Sequence, residues 1–205
     1  MTHLQQSLNS SSVAETLATY DQWADTYNQD VESEGYTAPQ LASDYVSKYL
    51  NAAAIASARI LDAGCGTGLV GQHLAKRGAR RIDGVDLSPG MLEVARKTGA
   101  YESLTTGDLS QWLDVDSAVY DALTCVGTLT QGHLGPGALD QLLRVVKPGG
   151  LVVATVRDTV WEMNGYKEKV KTFIADGRAH LVTDDFCVHR VAKDVNLIYV
   201  VLRLQ

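Results

Sequence analysis

Ile60-Leu61-Asp62-Ala63-Gly64-Cys65-Gly66-Thr67-Gly68 is the stretch on which the fold turns. Its apolar opening reads as a buried strand ending in an acid. Glycines then fall at alternate positions, Gly64, Gly66 and Gly68, and a helical pattern follows. Glycines at a strand-to-helix turn let backbone pass close to a ligand at a helix N-terminus. The turn is therefore a candidate cofactor site. A dinucleotide fingerprint would be G-x-G-x-x-G, and here Leu69 stands where its third glycine belongs. A nicotinamide dehydrogenase is thus the poorer reading of this loop.

A second acid sits where the chemistry wants it. Arg80-Arg81-Ile82-Asp83-Gly84-Val85-Asp86 reads as a second strand. Open α/β sheets bind ligands beyond the carboxyl ends of their strands, and an acid there accepts the hydroxyls of a ribose. Ser88, followed by Pro89, is the better N-cap for the next helix, which leaves Asp86 and its neighbour Leu87 to the ligand. Met91 either lays its thioether on an adenine face or is ordinary core.

Three further signals follow in order. They are Gly107-Asp108-Leu109 after a short strand at 101–105, Tyr120-Asp121-Ala122-Leu123-Thr124-Cys125-Val126-Gly127, and Lys147-Pro148-Gly149-Gly150 before a β-rich run. D-x-G-x-G-x-G at residues 62–68 resembles motif I of the class I S-adenosylmethionine methyltransferases, and the later signals resemble that superfamily's succession. The resemblance implies S-adenosyl-L-methionine as cofactor and S-adenosyl-L-homocysteine as product. It implies that Gly64, Gly66 and Gly68, with Asp62 and Cys65, shape the turn at the methionine end and the ribose. Gly107, Asp108 and Leu109 would address the adenine, and the strand ending in Cys125 and Val126 would pass under the transferring methyl. It also implies an α/β, Rossmann-like sheet of seven strands in the order 3-2-1-4-5-7-6, the last strand antiparallel.

The likeness extends further. Tyr20-Asp21-Gln22-Trp23-Ala24-Asp25-Thr26-Tyr27, Gly35-Tyr36-Thr37-Ala38-Pro39 and Gly84-Val85-Asp86-Leu87-Ser88-Pro89-Gly90-Met91-Leu92 together resemble the methyltransferase-like family linked to the Williams–Beuren syndrome chromosomal region. That family supports the cofactor more than any particular acceptor.

Residues 1–12, rich in Ser, Gln and Asn, are expected to be a disordered tail and not a signal peptide. Residues 13–205 read as one domain, a helical lid over 13–54 and a core over 55–205. Within 13–30, Tyr20, Trp23 and Tyr27 share one helix face, either packing on the core or closing over the cofactor. The resemblance to small-molecule methyltransferases implies that Tyr20 or Tyr27 binds the methionine carboxylate. A second helix is expected over 37–54. Strands at 59–63, 81–86, 101–105, 119–125 and 150–156 alternate with helices at 68–77, 89–98, 109–113 and 137–145. A helix at 161–176 and a hairpin of 178–191 with 196–202 close the pattern.

The chain has 205 residues, 45% of them hydrophobic, and a net charge of −6. The whole excess lies in the first fifty residues, with seven acids against Lys48. A nucleic-acid partner would show a basic face. Methyl transfer to an O, N or S atom of a small-molecule substrate is the better expectation, with a protein acceptor as the first alternative, no membrane partner and the oligomeric state open. Cys65, Cys125 and Cys187 form no C-x-x-C pair, and a reducing cytoplasm is expected. No metal is expected. His133, beyond the fourth strand, and Tyr27 are candidates to orient or deprotonate an acceptor, and Arg157 is expected to pair with an acid of the lid. A chain that binds the cofactor without catalysis is the alternative function.

Overall fold

The computed structural model describes residues 13–130, 134–183, 187–192 and 195–205. The N-terminal tail predicted over 1–12 lies outside them. Four helices come first, α1 (Val13–Trp23), α2 (Tyr27–Ser33), α3 (Ala38–Leu50) and α4 (Ala52–Ser57). Strand and helix then alternate through β1 (Arg59–Ala63), α5 (Leu69–Lys76), β2 (Arg81–Asp86), α6 (Pro89–Lys97) and β3 (Ser103–Thr106). β4 (Tyr120–Leu129), α7 (Ala138–Arg144), β5 (Val146–Arg157), α8 (Asp158–Trp161) and α9 (Tyr166–Ala175) follow. β6 (Ala179–Leu181), β7 (Cys187–Ala192) and β8 (Val195–Leu204) complete the described elements.

The strands form one sheet in the order β3-β2-β1-β4-β5-β8-β6, with β7 also on β8. β6 pairs with the end of β8 at Leu202–Leu204, and β7 pairs with its start at Val195–Tyr199. They are two halves of one edge strand, so the sheet has the seven positions and the order 3-2-1-4-5-7-6 that were expected. β1 to β5 run parallel, and β8 is antiparallel to β5, with Val156 opposite Ile198.

Both faces of the sheet are covered, which is why its central strands are apolar runs. In β5, Leu151 and Val153 pack with Ala42, Val46 and Leu74 from α3 and α5. Val152, Ala154 and Val156 pack on the other face with Leu139, Leu142 and Phe173 from α7 and α9. Among the described residues no helix is long and apolar enough to cross a membrane.

Some predicted elements differ. The helix expected over 13–30 breaks into α1 and α2 at 24–26, and that over 37–54 breaks at Asn51. Asn51 adopts φ 63° and its side-chain oxygen caps α4 by accepting from the Ala53 and Ala54 N–H groups. α3 packs on the sheet: Ala38, Ala42 and Val46 are fully buried, and the Tyr199 hydroxyl donates to the Ala38 carbonyl at 3.1 Å. α1 and α2 form the cover that lines the cleft. The helix expected near 109–113 is a chain of turns held by Arg144, which donates to the Leu113 and Val115 carbonyls. β4 runs past 125 to Leu129 with a register shift after Cys125. There Gly127 takes φ 74° and its N–H donates to Thr155 Oγ1 at 2.9 Å. A bulge of this kind re-aims side chains at a sheet edge.

Candidate functional site

A cleft with about 800 Å³ of open space, part of it continuous with solvent, is walled by residues at or just beyond the carboxyl ends of β1, β2, β3 and β4. The sheet order reverses between β1 and β4, the point where open α/β sheets seat ligands. α1 and α2 supply the opposite wall through Thr16, Leu17, Tyr20 and Tyr27.

The glycine turn is held by backbone. The Gly64 and Cys65 N–H groups both donate to the Val85 carbonyl, at 2.8 and 3.0 Å. The Gly66 N–H donates to Asp86 Oδ2 at 2.8 Å, and the Ser88 N–H to Asp86 Oδ1 at 2.9 Å. Each carboxylate oxygen keeps a further lone pair for a ligand hydroxyl. Gly66 takes φ 52°, and a Cβ there would meet no protein atom within 4 Å. Packing does not demand a glycine at that position. The left-handed backbone does, and the room it leaves belongs to the cleft. Burial raises the Asp86 pKa, and the backbone N–H groups of Ser88, Gly66 and Leu87 work against that rise.

Asp62 sits behind the turn. It is 1% exposed, and its oxygens accept from the Tyr101 hydroxyl at 2.7 Å and the Thr124 hydroxyl at 2.8 Å. Burial pushes its pKa up to about 6 against those two donors.

The cover is fastened at several points. Asp21 Oδ1 accepts from the Ser88 hydroxyl and, at 3.1 Å, from the Gly90 N–H. Thr67 in the glycine turn donates to Asn28 Oδ1 at 2.6 Å. Burial, with Tyr36, Tyr20 and Asp86 nearby, raises the Tyr27 pKa well above its ordinary value. Tyr27 is therefore a neutral hydroxyl near pH 7 and not a phenolate base.

The structure brings most of the predicted residues onto the cleft wall: Tyr20, Tyr27, Gly64, Gly66, Asp86, Leu87, Met91, Gly107, Asp108, Leu109 and Val126. Asp108 also accepts the Ser110 N–H at 2.8 Å, as a turn aspartate does. Five predicted residues stand off the wall. Trp23 is buried, with its indole N–H donating to Asp30 at 2.7 Å. Asp62 is occupied as described. Cys65 is buried against β2 at Gly84, Gly68 packs against Tyr101 and Ala95, and Cys125 is fully buried in the core. His133 lies outside the described residues.

The expected pairing of Arg157 with a lid acid is not found among the described residues. Asp21 is engaged with Ser88 and Gly90 at the start of α6, Asp30 within the cover, and Asp44 pairs with Arg77. No three His, Cys, Asp or Glu side chains cluster as a metal would require, among the described residues.

Sequence reasoning missed Thr16, Leu17, Thr128 and Leu134. Thr16 and Leu17 stand four and three residues before Tyr20, so the helical stripe already carried them. Thr128 owes its position to the β4 bulge. Leu134 is held by the Tyr166 hydroxyl, which donates to its carbonyl from α9. Nothing local in the sequence signals either.

Residues 60–150 match a family model described as a methyltransferase domain. The chain is 41% identical over 160 residues to human Methyltransferase-like protein 27, covering 78% of this chain and 64% of that protein. It is 37% identical over 120 residues to a ubiquinone biosynthesis O-methyltransferase of Alkalilimnicola ehrlichii, covering 55% of this chain and 46% of that protein. The chain thus spans less than two thirds of the length of these curated relatives. Among solved structures it resembles the 1,6-didemethyltoxoflavin-N1-methyltransferase of Burkholderia thailandensis with bound 1,6-didemethyltoxoflavin and S-adenosylhomocysteine. The TM-score is 0.62 at 20% identity, covering 91% of this chain and 87% of that one.

Proposed function

We propose that the chain is a class I S-adenosylmethionine-dependent methyltransferase, moving the methyl group of that cofactor to an oxygen, nitrogen or sulfur of a small molecule. The observation that carries this reading is the glycine turn. It presents bare backbone to the cleft at Gly64 and Gly66 and is tied to Asp86, whose remaining lone pairs suit a ribose diol.

The residues present fit this cofactor. Asp86 would hold the ribose, and Asp108 with buried Met91 and Leu109 would take the adenine. The turn at Gly64 and Gly66 would meet the methionine part, with Tyr20 and Tyr27 on the same cleft. When bound, the cofactor supplies a methyl on a sulfonium sulfur whose leaving group is a neutral thioether. The protein's share is then to align the acceptor and keep the site dry. α1 and α2 do the second through Leu17, Tyr20 and Tyr27. A base is required only when the acceptor arrives protonated, and neutral Tyr27 would orient such an acceptor by hydrogen bonding.

Several features support a small acceptor. The cleft is roofed, its described wall residues include no lysine or arginine, and the acidic excess lies in the segment that includes the cover. Neutral or cationic acceptors suit that field better than anions, and nucleic acid suits it poorly. Buried, unpaired thiols at Cys65 and Cys125 suit a reducing cytoplasm.

Calorimetric titration with S-adenosylmethionine and S-adenosylhomocysteine tests the reading. Both should bind the wild type saturably, and Asp86→Ala should weaken each at least about tenfold, the loss of a hydrogen-bonded charge. Absence of binding by the wild type would remove the proposal.

A further inference from the structure

Tyr101 precedes β3 and reaches across to the glycine turn. Its hydroxyl donates to Asp62 Oδ2 at 2.7 Å and accepts the Gly71 N–H at 3.2 Å. Asp62 lies just before the turn, near the end of β1. Gly71 lies just after it, in the first turn of α5, where N–H groups have no partner inside the helix. The N-cap of α5 is Gly68, which has no side chain to offer. One phenol thus closes a bridge over residues 64–68.

The space for this phenol is built by glycines. A Cβ at Gly71 would stand 2.3 Å from Tyr101 Cζ, one at Gly68 would stand 3.0 Å from Cε2, and one at Gly84 would stand 3.0 Å from Cδ1. Glycines on α5, on β2 and in the turn itself all yield to one ring. We infer that Tyr101 is the positioning residue of the cofactor turn, holding its two ends at fixed separation by bonding Asp62 on one side and the start of α5 on the other. This rests on the cofactor reading above, since Tyr101 is not itself on the cleft wall and acts through the backbone it braces.

A purely structural ring and a positioning hydroxyl make different demands. Tyr101→Phe keeps the ring against its three glycines and deletes only the bridge. Asp62 then loses one of two hydroxyl donors and holds its proton to higher pH. The titratable groups facing Asp62 are Tyr101 itself, Asp86 at the end of β2, Cys65 in the turn and Cys125 on β4. Burial pushes the Cys125 thiol up to about 12 and raises Cys65 and Tyr101 strongly. Asp62, at about 6, therefore titrates within reach of neutrality, and Asp86 is the other carboxyl of that set, raised by burial. Tyr101 does not bond Asp86, so a difference between wild type and Tyr101→Phe reports Asp62.

The experiment is calorimetric titration of S-adenosylhomocysteine into wild type and Tyr101→Phe across the range from about pH 5 to 8.5, which spans the Asp62 transition. Near pH 7.5 the variant should bind about tenfold more weakly, the scale of one hydrogen bond to a charged group. The acid limb of its affinity profile should also move to higher pH. Gly71→Ala, which pushes the phenol off Asp62 from the other side, should move the limb the same way. Equal affinity and an unmoved acid limb in a Tyr101→Phe protein that is folded and binds would overturn the inference and leave the cofactor reading intact. Failure of the wild type to bind would overturn both.

Discussion

A carboxylate buried with hydroxyl donors and no cation is a source of instability, and Asp62 is such a group. Its pKa in the folded chain, about 6, lies above its ordinary value of 3.8. The folded state therefore holds the proton more tightly than the unfolded one. Stability falls as pH rises between those two values and stays lower above them. A shift of about two pK units sets an upper bound near ~3 kcal/mol on that loss. Asp62→Asn removes the charge and keeps the shape. We expect it to raise the melting temperature at pH 7.5, by about 1 kcal/mol of stability once imperfect amide pairing is allowed for. The gain should vanish near pH 4, where the native carboxyl is already protonated. The same variant should bind S-adenosylhomocysteine more weakly, because the bridge through Tyr101 then rests on a neutral group. Thermal melts at the two pH values check the first statement. A variant equally destabilised at both would refute it. Retention of a destabilising acid at the neck of the cofactor turn is what a functional site looks like in stability terms.

At the scale of elements, the cover is α1, and its fastening is unusual in using a helix N-terminus on the core. Asp21 takes the Ser88 hydroxyl and the Gly90 N–H, both at the start of α6, while Ser88 caps that helix by accepting the Met91 N–H. Gly90 permits the approach: a Cβ there would stand 3.1 Å from Asp21 Oδ1 and 3.4 Å from the Asp21 backbone. Asp21→Ala should release α1 without disturbing the sheet. Stopped-flow displacement should show S-adenosylhomocysteine leaving about tenfold faster with little change in the association rate, since ligand hold is mostly an off-rate property. An unchanged off-rate would show that α1 is held by packing alone. The bounds of β1 and β2, the glycine turn and the Ser88 cap were all legible in the sequence, because each is written in residues that are neighbours along the chain. The breaks at 24–26 and Asn51 were not, since the apolar helical stripe runs through both. The fastening of Asp21 to Ser88 spans 67 residues, and the bridge from Tyr101 to Asp62 spans 39. Contacts of that range leave no periodicity to read. Trp23 was misplaced for the same reason: its stripe was visible, but its partner Asp30 on α2 turned it away from the cleft.

At the scale of the molecule, the cleft lies between two parts of the chain. Its floor belongs to loops of the central sheet, and its roof belongs to a segment outside that sheet. A ligand touching both adds its binding energy to the cohesion of the whole chain, because it binds the folded state alone. At one hundred times its dissociation constant this stabilises by about 2.7 kcal/mol. In a chain of this size each kcal/mol moves the transition by about 2–4 °C, so S-adenosylhomocysteine should raise the melting temperature by about 5–10 °C. NAD should leave it unmoved, since the turn lacks the third glycine of a dinucleotide site. Asp86 is on the cleft wall, and its side-chain bonds run to the local N–H groups of Gly66 and Ser88. Asp86→Ala should accordingly lose most of the ligand-induced rise while its ligand-free transition moves far less. Differential scanning calorimetry of the two proteins, with and without each ligand, reads all of these shifts. A rise with NAD and none with S-adenosylhomocysteine would give the same cleft to a different cofactor and a different chemistry.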